Sequence, residues 1–169
     1  GAWDALTAFA EATNIPVGTS INGKGAIAET SPVSLGVVGG NGARSYANAW
    51  IAESDLVMFI GTRTESTTTS HWTLPQRSAP PKSIHLDLAS REIGNTYASS
   101  AHLLGDARAS LEDLLSAVDT RMVAARNVDR IATLGAQKAA YFAQIEEEAA
   151  RDAFPIRPQR LIAALRRAL

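Results

Sequence analysis

The residues of this chain best suited to chemistry sit where apolar runs stop. Gly61-Thr62-Arg63 closes the run Leu56-Val57-Met58-Phe59-Ile60 and leaves a permanent cation with a planar fork at its end. An arginine there suits contact with a phosphate or stacking on an aromatic base; a solvated loop arginine is the plain reading. Asp87 closes a second run, Ser83-Ile84-His85-Leu86. Its carboxylate can accept hydrogen bonds from ribose hydroxyls, or it can cap or pair with the loop Ala89-Ser90-Arg91-Glu92. A third run, Ile15-Pro16-Val17-Gly18-Thr19-Ser20, leads into Asn22-Gly23-Lys24-Gly25. In an open α/β sheet, ligands bind outside the carboxyl ends of the strands, so these ends could face one crevice. Two turns add backbone. Gly36-Val37-Val38-Gly39-Gly40-Asn41-Gly42 precedes a helical pattern and would let main chain approach a phosphate or a flat ring. Gly105-Asp106-Ala107 opens another helix, where Asp106 is first of all an N-cap worth roughly 1 kcal/mol.

No set of catalytic acids, bases or metal ligands accompanies these ends. His71, His85 and His102 lie in separate segments, and no pair has the i, i+4 spacing of a helical metal site. His85, inside an apolar run, reads as a packed or hydrogen-bonded core residue. The hydroxyl-rich stretch 64–70 reads as a polar surface loop or a ligand-facing one. The composition is that of an ordinary soluble protein: 169 residues, 46% apolar, 20% charged, formal net charge -1. Such a charge gives no global attraction to nucleic acid or to an anionic membrane. The absence of cysteine removes disulfides and thiolate metal sites and fits a reducing cytoplasm. No apolar stretch approaches the roughly 20 residues that span a bilayer.

The elements that must position these residues follow from periodicity. Trp3, Leu6, Phe9 and Ala10 recur at helical spacing and predict an opening helix that ends near Asn14. A short strand over 15–20 follows. The segment 22–42 holds six glycines and Pro32 and reads as loop. Tyr46, Ala47, Trp50 and Ile51 line a second helix. The continuous apolar run 56–60 predicts a strand covered on both faces. Segment 62–81, with three prolines, reads as a long loop. Strands follow over 84–88 and 101–104, then a helix with Leu111, Leu114, Leu115 and Val118 on one stripe. From Val128, the residues Ile131, Leu134, Tyr141, Phe142 and Ile145 mark an amphipathic helix. Phe154-Pro155-Ile156-Arg157-Pro158 is a stiff link, and a further helix begins at Gln159. Strands alternating with helices predict a parallel sheet with right-handed crossovers. Such a domain ordinarily begins with a strand, whereas this chain begins with a helix; the first slot is expected to be vacant or otherwise filled.

The order of the pieces resembles a known family. Ile15-Pro16-Val17, Gly23-Lys24-Gly25, Ser34-Leu35-Gly36, Tyr46-Ala47-Asn48, Ser54-Asp55-Leu56-Val57, Ile60-Gly61-Thr62-Arg63, Ile84-His85-Leu86-Asp87, Glu92-Ile93-Gly94 and Gly105-Asp106-Ala107 follow one another as in the central domain of thiamine-diphosphate-dependent enzymes of the acetolactate-synthase-like group. The resemblance covers about residues 1–118, and Pro155-Ile156-Arg157-Pro158-Gln159-Arg160-Leu161 is similar to the start of that family's third domain. It implies an α/β fold: a Rossmann-like (DHS-like NAD/FAD-binding) six-stranded parallel sheet with helices on both faces, in three layers. It divides the chain into a central domain over 1–120, an amphipathic helix and linker over 121–158, and the first helix of a C-terminal domain over 159–169.

The resemblance also implies function. The parent would use thiamine diphosphate and Mg2+ held by its N- and C-terminal domains, would be a homo-oligomer, and would carry out lyase, transferase or decarboxylase chemistry. The middle domain would hold FAD, ADP or nothing, and would be inactive alone. The binding residues carried over are Ser20 and Ile21, the turn Gly39, Gly40, Asn41 and Gly42, then Gly61, Thr62 and Arg63, then Asp87 and Leu88, then Ile93, and finally Gly105 and Asp106. Asn41 stands where flavin binders of the synthase type commonly have histidine, and Thr67 where they often have a second arginine, so ADP or an empty site stands level with FAD. The alternatives from other classes are a standalone nucleotide-binding regulatory or NAD-consuming domain and a purely structural interaction domain. Neither nucleic acid nor membrane is an expected partner.

Overall fold

The computed structural model describes residues 1–169. Its contacts divide into one unit over Gly1–Ile131 and a second over Ala132–Leu169.

The first unit is built from α1 (Trp3–Thr13), β1 (Val17–Thr19), β2 (Ser34–Val37), α2 (Ser45–Ala52), β3 (Leu56–Ile60), β4 (Lys82–Asp87), β5 (Ala101–Leu104), α3 (Ala107–Ala117) and the start of α4 (Thr120–Ala150). Helix α1 stops where expected, because Asn14 takes the left-handed conformation (φ 54°) that ends helices. Every strand pair is parallel: β1 with β2, β3 with β4, and β4 with β5. The five strands form two sheets, β1-β2 and β3-β4-β5, rather than one continuous sheet of six. Helices surround these sheets in a layered α/β arrangement of Rossmann type.

Cross-strand rows decide which face is which. Met58, Ile60, Leu86 and Leu103 share one face, and Leu86 forms a buried cluster there with Ala5 and Phe9 of α1 and Leu111 of α3. The next turn of α1 places Ala10 in a separate cluster with Ile27 and Val33, beside Val17 of β1. One helix thus covers parts of both sheets. On the opposite face of β3 and β4, Phe59 meets His85 (centroids 5.7 Å apart) and stacks on Tyr97 (5.4 Å). The Tyr97 hydroxyl donates to the Pro75 carbonyl at 3.0 Å, which ties the long 62–81 segment down over that face.

Four expectations need correction. The segment 22–42 is not all loop: β2 lies inside it, because Val33, Leu35 and Val37 are 1–3% exposed and their burial outweighs the glycine signal. Gly36 takes φ +78°, open to glycine but rarely to an L side chain, where the register between β1 and β2 shifts. Strand β3 is not covered on both faces throughout, since Leu56 is 49% exposed. The strand predicted over 84–88 runs from Lys82 to Asp87 and leaves Leu88 outside, 73% exposed. The long helix also starts earlier than its apolar pattern, at Thr120.

Strand β3 has one open edge. The Lys82 N–H donates to the Asp55 carbonyl and the Gly61 N–H to the Leu86 carbonyl, so odd-numbered residues bond to β4. By alternation, the backbone groups of Leu56, Met58 and Ile60 point away from it, to a side where no strand pairs. Amide exchange at Met58 and Ile60 is therefore expected to be at least tenfold faster than at Val57 and Phe59. Hydrogen exchange followed by NMR checks this, and equal protection along the strand would mean that the edge is covered.

The second unit holds the rest of α4 and α5 (Pro158–Ala168), joined through 151–157. Arg160 pairs with Asp152, and Gln159 donates to Glu148 at 2.9 Å. Pro158 opens α5, where its missing N–H costs nothing.

Candidate functional site

The carboxyl ends of β3, β4 and β5 meet at a cleft of about 480 Å³, lined among others by Gly61, Arg63, Asp87, Leu88, Gly105 and Asp106. This volume falls within the usual range for small-molecule sites. The parallel direction of the strands makes the convergence: three chains rising together must turn at the same end of the sheet.

The charges around the cleft differ in how far they are already engaged. Asp106 caps α3, one carboxylate oxygen accepting from the N–H groups of Arg108 (2.9 Å) and Ala109 (3.1 Å). Arg108 pairs with Glu112 at 2.8 Å, and this hydrogen bond raises the pKa of its guanidinium further. Arg91 pairs with Glu92 at 3.2 Å. Asp87 accepts from the Ala89 N–H at 2.8 Å through one oxygen, which fixes the carboxylate and leaves the other oxygen available. Arg63 stands apart: it lines the cleft, is exposed, and its guanidinium makes neither a hydrogen bond nor an ion pair, while its carbonyl accepts from the Thr64 hydroxyl at 2.7 Å. An unengaged guanidinium and an oriented carboxylate lining one cleft suit a ligand with an anionic part and a hydroxyl-bearing part.

The other sequence candidates lie elsewhere. Thr62 does not line the cleft; its carbonyl turns inward to accept from His85 Nε2 at 3.1 Å. Ile93 is half-buried next to Gly94, whose N–H donates to His85 Nδ1 at 3.4 Å. Ser20 and Ile21 follow β1, and the Ser20 hydroxyl accepts from the Gly23 N–H at 3.0 Å. The turn 39–42 is held by protein on two sides. Asn48 bonds both the N–H and the carbonyl of Gly39, at 2.9 and 3.0 Å. The Gly40 N–H donates to the Thr67 carbonyl at 2.8 Å. Asn41 and Gly42 are exposed, and a Cβ on Gly42 would lie 3.3 Å from Ile21.

The cleft also contains Arg91, Glu92 and Arg108, which the sequence did not single out. Their only signal was charge near a strand end. Burial raises the pKa of the Tyr97 hydroxyl, against smaller opposing effects from Thr69 and Arg77. No three His, Cys, Asp or Glu side chains converge so as to hold a metal ion. No helix is long and apolar enough to cross a membrane.

Residues 1–114 match the family described as thiamine pyrophosphate enzyme, central domain. The chain belongs to that family. This central domain is 36% identical over 118 residues to a probable acetolactate synthase large subunit of Methanocaldococcus jannaschii, and 34% identical over 119 residues to that of Methanococcus aeolicus. Each match covers 70% of the chain, and 20% and 19% of the respective relative. A probable 2-ketoarginine decarboxylase of Pseudomonas aeruginosa is 36% identical over 119 residues, which is 68% of the chain and 19% of that protein. The chain thus spans about a fifth of the length of the curated relatives it matches.

Proposed function

We propose that this central domain serves a thiamine-diphosphate-dependent enzyme that makes or breaks a carbon–carbon bond beside a carbonyl, on 2-oxo acids or acyl-CoA-type substrates, and that its own part is to hold FAD or ADP. The synthase and decarboxylase relatives support the reaction class. In this reading thiamine diphosphate and Mg2+ are bound by flanking domains. The side chains present here bring no such metal site together, so no step through those groups is assigned to this chain. The domain alone turns over no substrate and acts as scaffold and nucleotide holder within a homo-oligomer.

The observation that carries the binding role is the unengaged Arg63 across the strand ends from Asp87, whose carboxylate is oriented by the Ala89 N–H. Arg63 would meet the diphosphate and Asp87 the ribose hydroxyls. Calorimetric titration of the 169-residue chain with ADP, FAD and NAD tests this. ADP or FAD is expected to bind, and Arg63→Ala to weaken that binding at least tenfold, about 1.4 kcal/mol. The Arg63 side chain is exposed and makes no hydrogen bond or ion pair for truncation to break, and the backbone bond from Thr64 survives in alanine, so the loss would not come from unfolding. Unchanged affinity in the variant would remove Arg63 from the site; binding of NAD alone, or of none of the three, would contradict the assignment.

A further inference from the structure

His85 lies in the middle of β4, 2% exposed, and touches no part of the cleft surface. Its ring nevertheless bonds to both loops that form the rim. Nδ1 accepts the N–H of Gly94, and Nε2 lies 3.1 Å from the carbonyl of Thr62. One neutral tautomer satisfies both contacts: Nδ1 bare, Nε2 carrying the proton and donating it. Thr62 immediately precedes Arg63, and Gly94 closes the loop that carries Leu88, Arg91 and Glu92. The ring itself is held against Phe59. Side chains two apart on a strand share a face, so His85 also stands on the same side of β4 as Asp87.

We propose that His85 is the positioning residue of the nucleotide cleft, clasping the two rim loops so that Arg63 is held at a set distance from Asp87. This rests on the reading of the cleft as a nucleotide site. A loop that follows a strand end is otherwise free to move, and a displacement of about 1 Å at a binding group is enough to lose most of its contribution. The bond to the Thr62 carbonyl acts on the phosphate side, through Arg63. The bond to Gly94 acts on the loop that follows Asp87.

The two bonds can be cut separately. In His85→Asn, the side-chain oxygen can still accept from Gly94, but nothing reaches Thr62. In His85→Gln, the terminal amide can still donate to Thr62, but Gly94 loses its acceptor. Each variant is titrated with ADP and with adenosine, and its Gly94 amide exchange is followed by NMR. His85→Asn is expected to lose about tenfold in ADP affinity while adenosine stays within twofold, with Gly94 still protected. His85→Gln is expected to weaken both ligands together and to expose the Gly94 amide. A residue that only stabilised the fold would lower both ligands equally in both variants, and that result overturns the positioning role. Wild-type affinities in both variants overturn it too. If the unmodified chain binds neither ligand, the nucleotide reading itself falls, and this role with it.

Discussion

Gly39→Ala is expected to destabilise the first unit by about 3 kcal/mol or more, whereas Gly25→Ala should cost only about 1 kcal/mol. Both glycines adopt a positive φ, +103° and +95°, which an L side chain rarely takes. Their surroundings differ. A Cβ on Gly39 would lie 2.5 Å from the Thr68 carbonyl oxygen and 2.6 Å from that of Thr67; a Cβ on Gly25 would meet nothing within 4 Å. The obstructing atoms are backbone, so the 67–68 segment would have to move as a whole and would loosen the bond from the Gly40 N–H to Thr67. Urea denaturation of the two variants checks the difference. Equal losses would show that φ alone sets the cost and that the close approach is unimportant.

Leu111→Ala is the second large effect, expected at about 3 kcal/mol within the range of 2–5 for buried leucines. Leu111 is fully buried between α1, α3 and the β3-β4-β5 sheet, in contact with Ala5, Phe9 and Leu86. Those neighbours lie on two other elements, α1 and β4, so the hole cannot close by moving one of them. Leu104, 63% exposed in β5, provides the comparison, with an expected loss below 1 kcal/mol for the same change. Thermal melts of the two variants separate the cases. Similar losses would place the core elsewhere.

Much of the fold was legible because its elements end on strong local signals. Asn14 stops α1, Gly61 and Asp87 close β3 and β4, and Asp106 caps α3, each through its own backbone or side-chain chemistry. Strand β2 was hidden because Pro32 and six glycines in 22–42 outweigh three alternate apolar residues until their burial is known. The open edge of β3 was hidden because an apolar run reports what a strand prefers, not whether a neighbour is present. Strand ends also pointed to the candidate cleft, which Gly61, Arg63, Asp87, Leu88, Gly105 and Asp106 line together. Thr62 and Ile93 belong to the same loops but face or flank His85, through contacts that cross 23 residues to Thr62 and 9 to Gly94 and leave no sequence signature. The turn 39–42 shows the converse. Glycine there looked like room for a ligand, while the carbonyls of Thr67 and Thr68 already crowd Gly39.

The most direct measurement is where a nucleotide lands. Backbone amide shifts of the 169-residue chain recorded on addition of ADP should move at Gly61, Arg63, Leu88 and Gly105, the ends of three parallel strands, with little change at Gly39, Gly40 or Gly42. Shifts confined to 39–42, or none at saturating ADP, would contradict the assignment of the cleft.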